Sequence, residues 1–150
     1  MDYKYISKEL DETLTLAENF EAEKFPNMVI CLDGDLGAGK TVFTKAFAAA
    51  MGIKENVTSP TFNIIKEYDG ELPLFHMDVY RTDGDISELG LEEYFSKMGV
   101  TIIEWGSMIR EHLPEEYLEI KIIVLDENAR KFKIIPHGKK YEIVCDNVIW

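Results

Sequence analysis

Residues Gly34-Asp35-Leu36-Gly37-Ala38-Gly39-Lys40-Thr41 set a lysine and a hydroxyl directly behind a glycine-rich run, in the pattern G-x-x-x-x-G-K-[ST]. Glycines let backbone N–H groups curl around phosphate oxygens without a Cβ in the way. A helix beginning at Lys40 adds partial positive charge at its N-terminus, where anions bind. In such a loop the lysine reaches the β and γ phosphates and the Thr41 hydroxyl ligates Mg2+, so the chemistry indicated is that of a nucleoside triphosphate. The alternative is a glycine-rich turn at an ordinary helix start. An apolar strand-like run before the loop and an amphipathic segment after it favour the phosphate loop.

A loop of this kind is completed by an acid at the end of an apolar strand. Asp78 ends Leu74-Phe75-His76-Met77-Asp78, and Glu104 ends Val100-Thr101-Ile102-Ile103-Glu104. The first run follows a hairpin signal, which predicts a strand antiparallel to its predecessor. The second follows a helical stretch, which suits a parallel crossover, and ligands of open α/β sheets sit at the carboxyl ends of parallel strands. Glu104 is therefore assigned to the metal together with Thr41. Strand alternation puts His76, Asp78 and Tyr80 on one face. Either they bond one another in a partly buried network or Asp78 orients an attacking water, and the pattern alone leaves both open.

The elements that must position these groups follow from periodicity. Ser7 is expected to cap a helix carrying Leu10, Leu14, Ala17 and Phe20, closed by Pro26. Met28 to Leu32 reads as a strand buried on both faces. A second helix runs from Lys40 to Met51 and ends at Gly52. Phe62–Tyr68 and Leu72–Tyr80 flank Asp69-Gly70 as an antiparallel hairpin. Ser87 is expected to cap a short helix with Leu91, Tyr94 and Phe95. A helical segment spans Ser107–Leu113, stopped by Pro114. The last third reads as strands: Leu118–Val124, Phe132–Ile134 and Tyr141–Ile143, with a turn at Gly138. The sum is one α/β domain over residues 1–150, its mixed sheet parallel near the glycine-rich loop and antiparallel toward the C-terminus.

Composition sets limits. With 46% hydrophobic and 29% charged residues, the chain of 150 residues can bury a single core. No apolar run approaches the roughly 20 residues that cross a bilayer, and Met1-Asp2-Tyr3-Lys4-Tyr5 lacks the features of a secretory signal, so a cytoplasmic chain is expected. Cys31 and Cys145 are far apart and without metal-ligand spacing. A net charge of −12 argues against direct binding of nucleic acid, because phosphate contacts need a basic face. It fits a basic protein partner, or simple solubility.

The pieces Gly34–Thr41, Ser59-Pro60-Thr61-Phe62, His76-Met77-Asp78-Val79-Tyr80-Arg81, Leu89-Gly90-Leu91 and Ile103-Glu104-Trp105, in that order, resemble one family. It is the bacterial tRNA threonylcarbamoyladenosine-biosynthesis ATPases called TsaE (YjeE/YdiB). The resemblance implies a P-loop NTPase-type three-layer fold and an ATPase, weak alone, that uses ATP and Mg2+. It implies action with the TsaB–TsaD transferase pair, with tRNA met only through that complex. It also implies that hydrolysis resets the complex between rounds of modification. Ser59-Pro60-Thr61 would be a nucleotide-responsive segment. Asp78 would be catalytic or coupling beside Lys40, Glu104 a metal ligand, and Trp105 a neighbour of the nucleotide or of a partner. Nucleotide is then expected on Gly37, Ala38, Gly39, Lys40, Thr41 and Val42, with Thr13 and Arg130 added by the resemblance. A small-molecule kinase and a nucleotide-binding module without turnover are the competing functions. A kinase would need an arginine-bearing lid, and the chain has three arginines: Arg81, Arg110 and Arg130.

Overall fold

The computed structural model describes residues 2–35, 37–58, 60, 64–80 and 90–149. The expected Ser87 cap lies outside them, as do Ser59 and Thr61 of the segment expected to respond to nucleotide. The elements run β1 (Tyr3–Ser7), α1 (Leu10–Ala22), β2 (Val29–Gly34), α2 (Lys40–Ala50), β3 (Ile65–Tyr68) and β4 (Leu74–Asp78). A 3-10 segment, Leu91–Ser96, precedes β5 (Val100–Glu104), and a second, Gly106–His112, follows it. The chain closes with β6 (Tyr117–Val124), β7 (Arg130–His137) and α3 (Lys139–Val148).

Seven strands form one sheet in the order β1-β7-β6-β2-β5-β4-β3. The centre is parallel, β6 with β2, β2 with β5 and β5 with β4, and both flanks are antiparallel. β2 is buried along Val29–Asp33, as a strand covered on both faces must be. On one face α1, α2 and α3 close over Leu16, Phe20, Phe43, Phe47, Ile30 and Phe132. Phe43 is the hub, with ring centroids 6.4 Å from Phe20 and Phe47 and 6.3 Å from Phe132. On the other face Val29, Cys31, Met77, Val79 and Ile103 pack with Tyr94, Phe95, Ile109 and Leu113 of the 3-10 segments and the residue after them. The result is the three-layer α/β arrangement.

Four expectations change. Ser7 does not cap a helix: it ends β1, an N-terminal strand whose alternation (Tyr3, Tyr5 and Ser7 inward, Lys4 and Ile6 outward) is easily taken for the lead-in to a helix. Leu10, read as one of the apolar residues recurring along a helix face, begins α1 but is 59% exposed, because α1 turns Thr13, Leu16, Ala17 and Phe20 inward. Tyr141–Ile143 is not a strand. Tyr141, Val144, Cys145 and Val148 are buried at the i, i+3, i+4, i+7 spacing of a helix face, and α3 is held by the Val29 N–H donating to the Tyr141 hydroxyl at 2.9 Å. Burial pushes that phenol up to about 12.

The fourth correction bears on the site. β4 is antiparallel to β3, as the hairpin predicts, but it is also parallel to β5, with Asp78 the register partner of Glu104. The connection before each strand therefore does not separate the two acids. Both stand at the carboxyl edge of the parallel centre.

Gly106 sits where the chain leaves β5 and crosses back over β2. A Cβ there would lie 2.7 Å from the Cys31 Cβ and 2.8 Å from its sulfur. Gly106→Ala is expected to cost about 1–3 kcal/mol in urea unfolding through overpacking, and Cys31→Gly in the same chain should recover part of that loss.

Candidate functional site

The hand-over from β2 to α2 is shaped by local sterics. Gly34 approaches β6 so closely that a Cβ would meet the Ile122 carbonyl oxygen at 2.8 Å. Gly37 at φ +81° and Gly39 at φ +115° take left-handed backbone that L side chains avoid. The Ala38 N–H donates to the Asp35 carbonyl at 2.9 Å, closing the turn. Gly39 is the N-cap of α2 and supplies no side chain, so no side-chain cap occupies the helix start. The amides of the first turn, from Lys40 to Val42, have no acceptor within the helix and no acidic side chain among them. This is a cup for an anion, built from main chain.

Lys40 is 5% exposed. Its Nζ donates to the carbonyls of Gly34 at 2.5 Å and Asp35 at 3.1 Å, and lies 4.2 Å from the centre of the Trp105 ring. Burial lowers its pKa from the usual lysine value, and the carboxylates of Glu104, Asp78, Asp33 and Asp35 oppose that shift. Trp105 holds its place with left-handed backbone, φ +65°, its N–H donating to Leu32 O at 2.8 Å and its ring 4.8 Å from Tyr80. A cavity of about 250 Å³ is lined by Lys40, Thr41, Asp78, Glu104 and Trp105 together with Gly37, Gly39 and Val42.

Behind Asp78 and Glu104 lies a buried pair. His76, fully buried, donates from Nε2 to Glu104 Oε2 at 2.5 Å, while Glu104 is 3% exposed. His76 Nδ1 has no hydrogen-bond partner among the described residues. Of the two readings left open for His76, Asp78 and Tyr80, the network takes another form for His76, whose bond goes to Glu104 on the neighbouring strand. Asp78 Oδ1 instead accepts the Tyr80 N–H at 3.0 Å.

A second cavity, about 160 Å³, opens on the other side of Gly39 and Val42. Thr13, Ala38 and Arg130 line it, with Leu10, Glu127 and Asn128. Arg130 is committed to architecture: Nε donates to Ala38 O at 2.9 Å, and Nη1 to Asp126 O at 2.8 Å and Ala129 O at 3.0 Å. It fastens the turn between β6 and β7 to the glycine-rich loop. Asp126 tightens the same turn by accepting the N–H groups of Asn128 and Ala129, each at 2.8 Å, and these bonds lower its pKa. Ser7 Oγ donates to Glu9 O at 2.8 Å, so Thr13 Oγ1 is the donor in its 2.7 Å bond to Ser7.

The fold thus gathers Lys40, Thr41, Asp78 and Glu104 in one cavity and Thr13, Ala38 and Arg130 in its neighbour, with Gly39 and Val42 shared. Missing from the sequence reading is Asp33. Its Oδ1 accepts from the N–H and hydroxyl of Ser107 at 3.1 and 2.7 Å, tying the residues after Trp105 to the root of the loop. Its position directly before Gly34 was the available signal.

The family model described as "Threonylcarbamoyl adenosine biosynthesis protein TsaE" matches residues 7–132. The tRNA threonylcarbamoyladenosine biosynthesis protein TsaE of Bacillus subtilis (strain 168) is 48% identical over 139 residues, covering 92% of this chain and 88% of the relative. Its namesake from Treponema pallidum (strain Nichols) is 42% identical over 108 residues, 71% of this chain and 80% of that one. Among solved structures, Bacillus subtilis YdiB superposes with a TM-score of 0.87 at 43% identity, covering 99% of this chain and 94% of that one.

The buried His76–Glu104 pair makes a prediction of its own. His76→Leu removes the donor and leaves a desolvated carboxylate, which should cost about 1–3 kcal/mol in denaturant unfolding. His76→Leu with Glu104→Leu should recover most of it, since no buried polar group is then stranded. A double variant no more stable than the single one would show that the pair is not coupled.

Proposed function

We propose, from the premise that this chain belongs to the TsaE family, that it binds and hydrolyses ATP with Mg2+ as the energy-using component of tRNA threonylcarbamoyladenosine biosynthesis, acting with TsaB–TsaD. The observation that carries the ATPase reading is the convergence of Lys40, Thr41, Asp78 and Glu104 on one cavity at the start of α2. In this reading the triphosphate lies in the main-chain cup, and the adjoining cavity beside Thr13 and Arg130 takes the nucleoside end.

Each side chain then has a task. Lys40 exchanges its bonds to the Gly34 and Asp35 carbonyls for bonds to phosphate oxygens. Thr41 and Glu104 would hold the metal, and hard oxygen donors of this type suit Mg2+. Bound there, Mg2+ would neutralise charge on the triphosphate. With one Glu104 oxygen taken by His76, the carboxylate is oriented rather than free to rotate. Asp78, its register partner and part of the same cavity lining, would accept a hydrogen bond from the attacking water.

The placement of the two described arginines, Arg110 and Arg130, favours an ATPase over a small-molecule kinase. Arg130 spends Nε and Nη1 on backbone carbonyls, and Arg110 lies 3.7 Å from Glu119 on the opposite sheet face. Among the described residues that line the phosphate cavity, Lys40 is the cation. Neither Arg110 nor Arg130 is then the clamp that a phosphoryl transfer to a small acceptor calls for, and a single cation among the described lining residues accords with slow turnover by the isolated chain. Acceleration then falls to the partner complex. No helix among the described residues is long and apolar enough to cross a membrane, which agrees with the cytoplasmic placement proposed here.

Phosphate release, measured with and without TsaB–TsaD, tests the assignment. Stimulation by the pair is expected. Transfer to a small acceptor would instead mark a kinase, and binding without turnover in both conditions a regulatory module. Lys40→Ala should lower ATP affinity or turnover about 100-fold, the loss of one to two charge-assisted hydrogen bonds, and unchanged kinetics would remove the phosphate-loop reading. Glu104→Ala should raise the Mg2+ concentration for half-maximal activity more than Asp78→Ala does, whereas Asp78→Ala should act chiefly on kcat. The reverse ranking would exchange the two roles.

A further inference from the structure

Trp105, the residue after β5, takes a backbone that a bulky L side chain disfavours. At φ +65° and ψ +32° it lies in the left-handed region, where such a residue stays only if its surroundings hold it. The ring placed in this way has its centre 4.2 Å from the Lys40 ammonium and lines the phosphate cavity. Whatever holds the backbone of Trp105 therefore also sets the ring over Lys40. Two anchors on β2 do so. The Trp105 N–H donates to Leu32 O at 2.8 Å. Two residues on, Ser107 donates twice to Asp33 Oδ1, from its N–H at 3.1 Å and from its hydroxyl at 2.7 Å. A short span fastened at both ends to adjacent residues of one strand has to turn tightly between them, and Trp105 carries that turn. Tyr80, whose ring lies 4.8 Å from the indole, is 47% exposed and gives a softer wall.

Asp33 itself lowers stability where it stands. It follows the apolar run Val29-Ile30-Cys31-Leu32 and is 8% exposed. Its Oδ2 is buried with no hydrogen-bond partner among the described residues. Lys121, its register partner on β6, lies instead 3.8 Å from Glu119. A desolvated carboxylate with one oxygen unsatisfied is unfavourable. Packing alone does not call for an acid at the end of this strand, whereas the two donors of Ser107 call for an acceptor.

We infer that Asp33 is a positioning residue for the nucleotide site: by accepting both donors of Ser107 it keeps Trp105 in its left-handed turn, and so keeps the indole over Lys40. Asp33 acts through Trp105 and touches no substrate. This inference rests on the reading of the cup as a nucleotide site and assigns the task of readying Lys40 before nucleotide arrives. With the ring in place, the ammonium is confined to the mouth of the loop, on the carbonyls of Gly34 and Asp35 or on a phosphate that replaces them. Once the ring is released, the ammonium is free to swing toward Glu104 and Asp78, which line the same cavity. An incoming nucleotide must then break that ion pairing first. Ground state and transition state bear this cost alike, so the loss falls on affinity more than on turnover at saturation. The charge of Asp33 also favours the ammonium form of Lys40 from a distance, and the test has to separate that effect from the tether.

The test is calorimetric titration of the full chain with ADP and Mg2+, joined to steady-state ATP hydrolysis. Asp33→Ala should weaken ADP binding about 10-fold and raise KM for ATP by a similar factor, with a smaller effect on kcat. Asp33→Asn loses the charge but keeps a side-chain carbonyl for Ser107, and should stay within about threefold of wild type. Ser107→Ala, which keeps the backbone donor and disturbs the core least, should fall between the two and serves if Asp33→Ala does not fold. With Trp150→Phe, Trp105 is the remaining tryptophan of the chain, and acrylamide should quench it more readily once Asp33→Ala is added. In a Trp105→Leu chain, Asp33→Ala should cost no further affinity. Additive losses there, or quenching that does not change, would overturn the route through Trp105. An Asp33→Asn loss as large as that of Asp33→Ala would make the effect one of charge and overturn the tether. Wild-type affinity in both Asp33→Ala and Ser107→Ala would overturn this inference and leave the nucleotide reading intact, whereas a wild-type chain that binds no ADP would overturn both.

Discussion

Lys40 is held in a place where a lysine would not otherwise rest. It is buried, which disfavours its charge, yet it donates to two carbonyl oxygens at the mouth of the loop and faces four carboxylates. The surrounding structure can be understood as what is needed to keep that ammonium there. The loop must turn through left-handed glycines so that the carbonyls of Gly34 and Asp35 point inward and the helix amides point outward. Gly34 must lack a Cβ because β6 presses against it. Trp105 must adopt a costly backbone conformation to bring its ring over the ammonium.

The carboxylates around Lys40 come from strand geometry rather than from loops. A parallel centre of β6, β2, β5 and β4 brings strand ends to one edge, and register sets Leu32 beside Glu104 and Glu104 beside Asp78. Two acids side by side would repel. One of them is stabilised by a fully buried imidazole that donates to it, and the ammonium of Lys40 faces both. The cluster is polar on a strand whose other neighbours are apolar, which is the pattern His76 and Asp78 leave in the sequence. In the proposed function a triphosphate in the cup would bring negative charge toward these acids, and Lys40 together with a divalent cation would offset it.

The site was more legible than the periphery, for a physical reason. Glycines with positive φ, a lysine and a hydroxyl at fixed spacing are local requirements, so Gly37, Gly39, Lys40 and Thr41 can be read from a short window. Helix α2 and strands β2, β5 and β6 follow from periodicity within a single element. Asp78 and Glu104 can be named as strand-end acids, but their relation depends on β4 pairing with β5 across 21 intervening residues, Val79 to Gly99, and no local pattern carries that. β1 was invisible for the same reason, since its partner β7 is at the other end of the chain. α3 reads as a strand because Tyr141-Glu142-Ile143 alternates over three residues, and the helical spacing emerges only when Val144, Cys145 and Val148 are included. Asp33 shows no role in sequence because Ser107, which it accepts from, is 74 residues away.

The stretch from Glu104 to Ser107 joins the two faces of the sheet. Glu104 faces the helix layer with Lys40, while Ser107 is bonded to Asp33, whose strand neighbours Val29 and Cys31 belong to the opposite core. Between them Trp105 donates its N–H to Leu32, and Gly106 lies against Cys31 with no room for a Cβ. All four residues are therefore tied to β2, two by hydrogen bonds, one by pairing and one by contact. Such a segment cannot shift at one end alone. A displacement of Trp105, the residue that shares Lys40 with the loop carbonyls, must be carried through Gly106 to Ser107 and Asp33. Because Asp33 immediately precedes Gly34, the same displacement returns to the loop from its root. The loop and the crossing after β5 are consequently one mechanical unit, and this closed circuit of contacts explains how a cup made mostly of glycine and main chain keeps a defined shape.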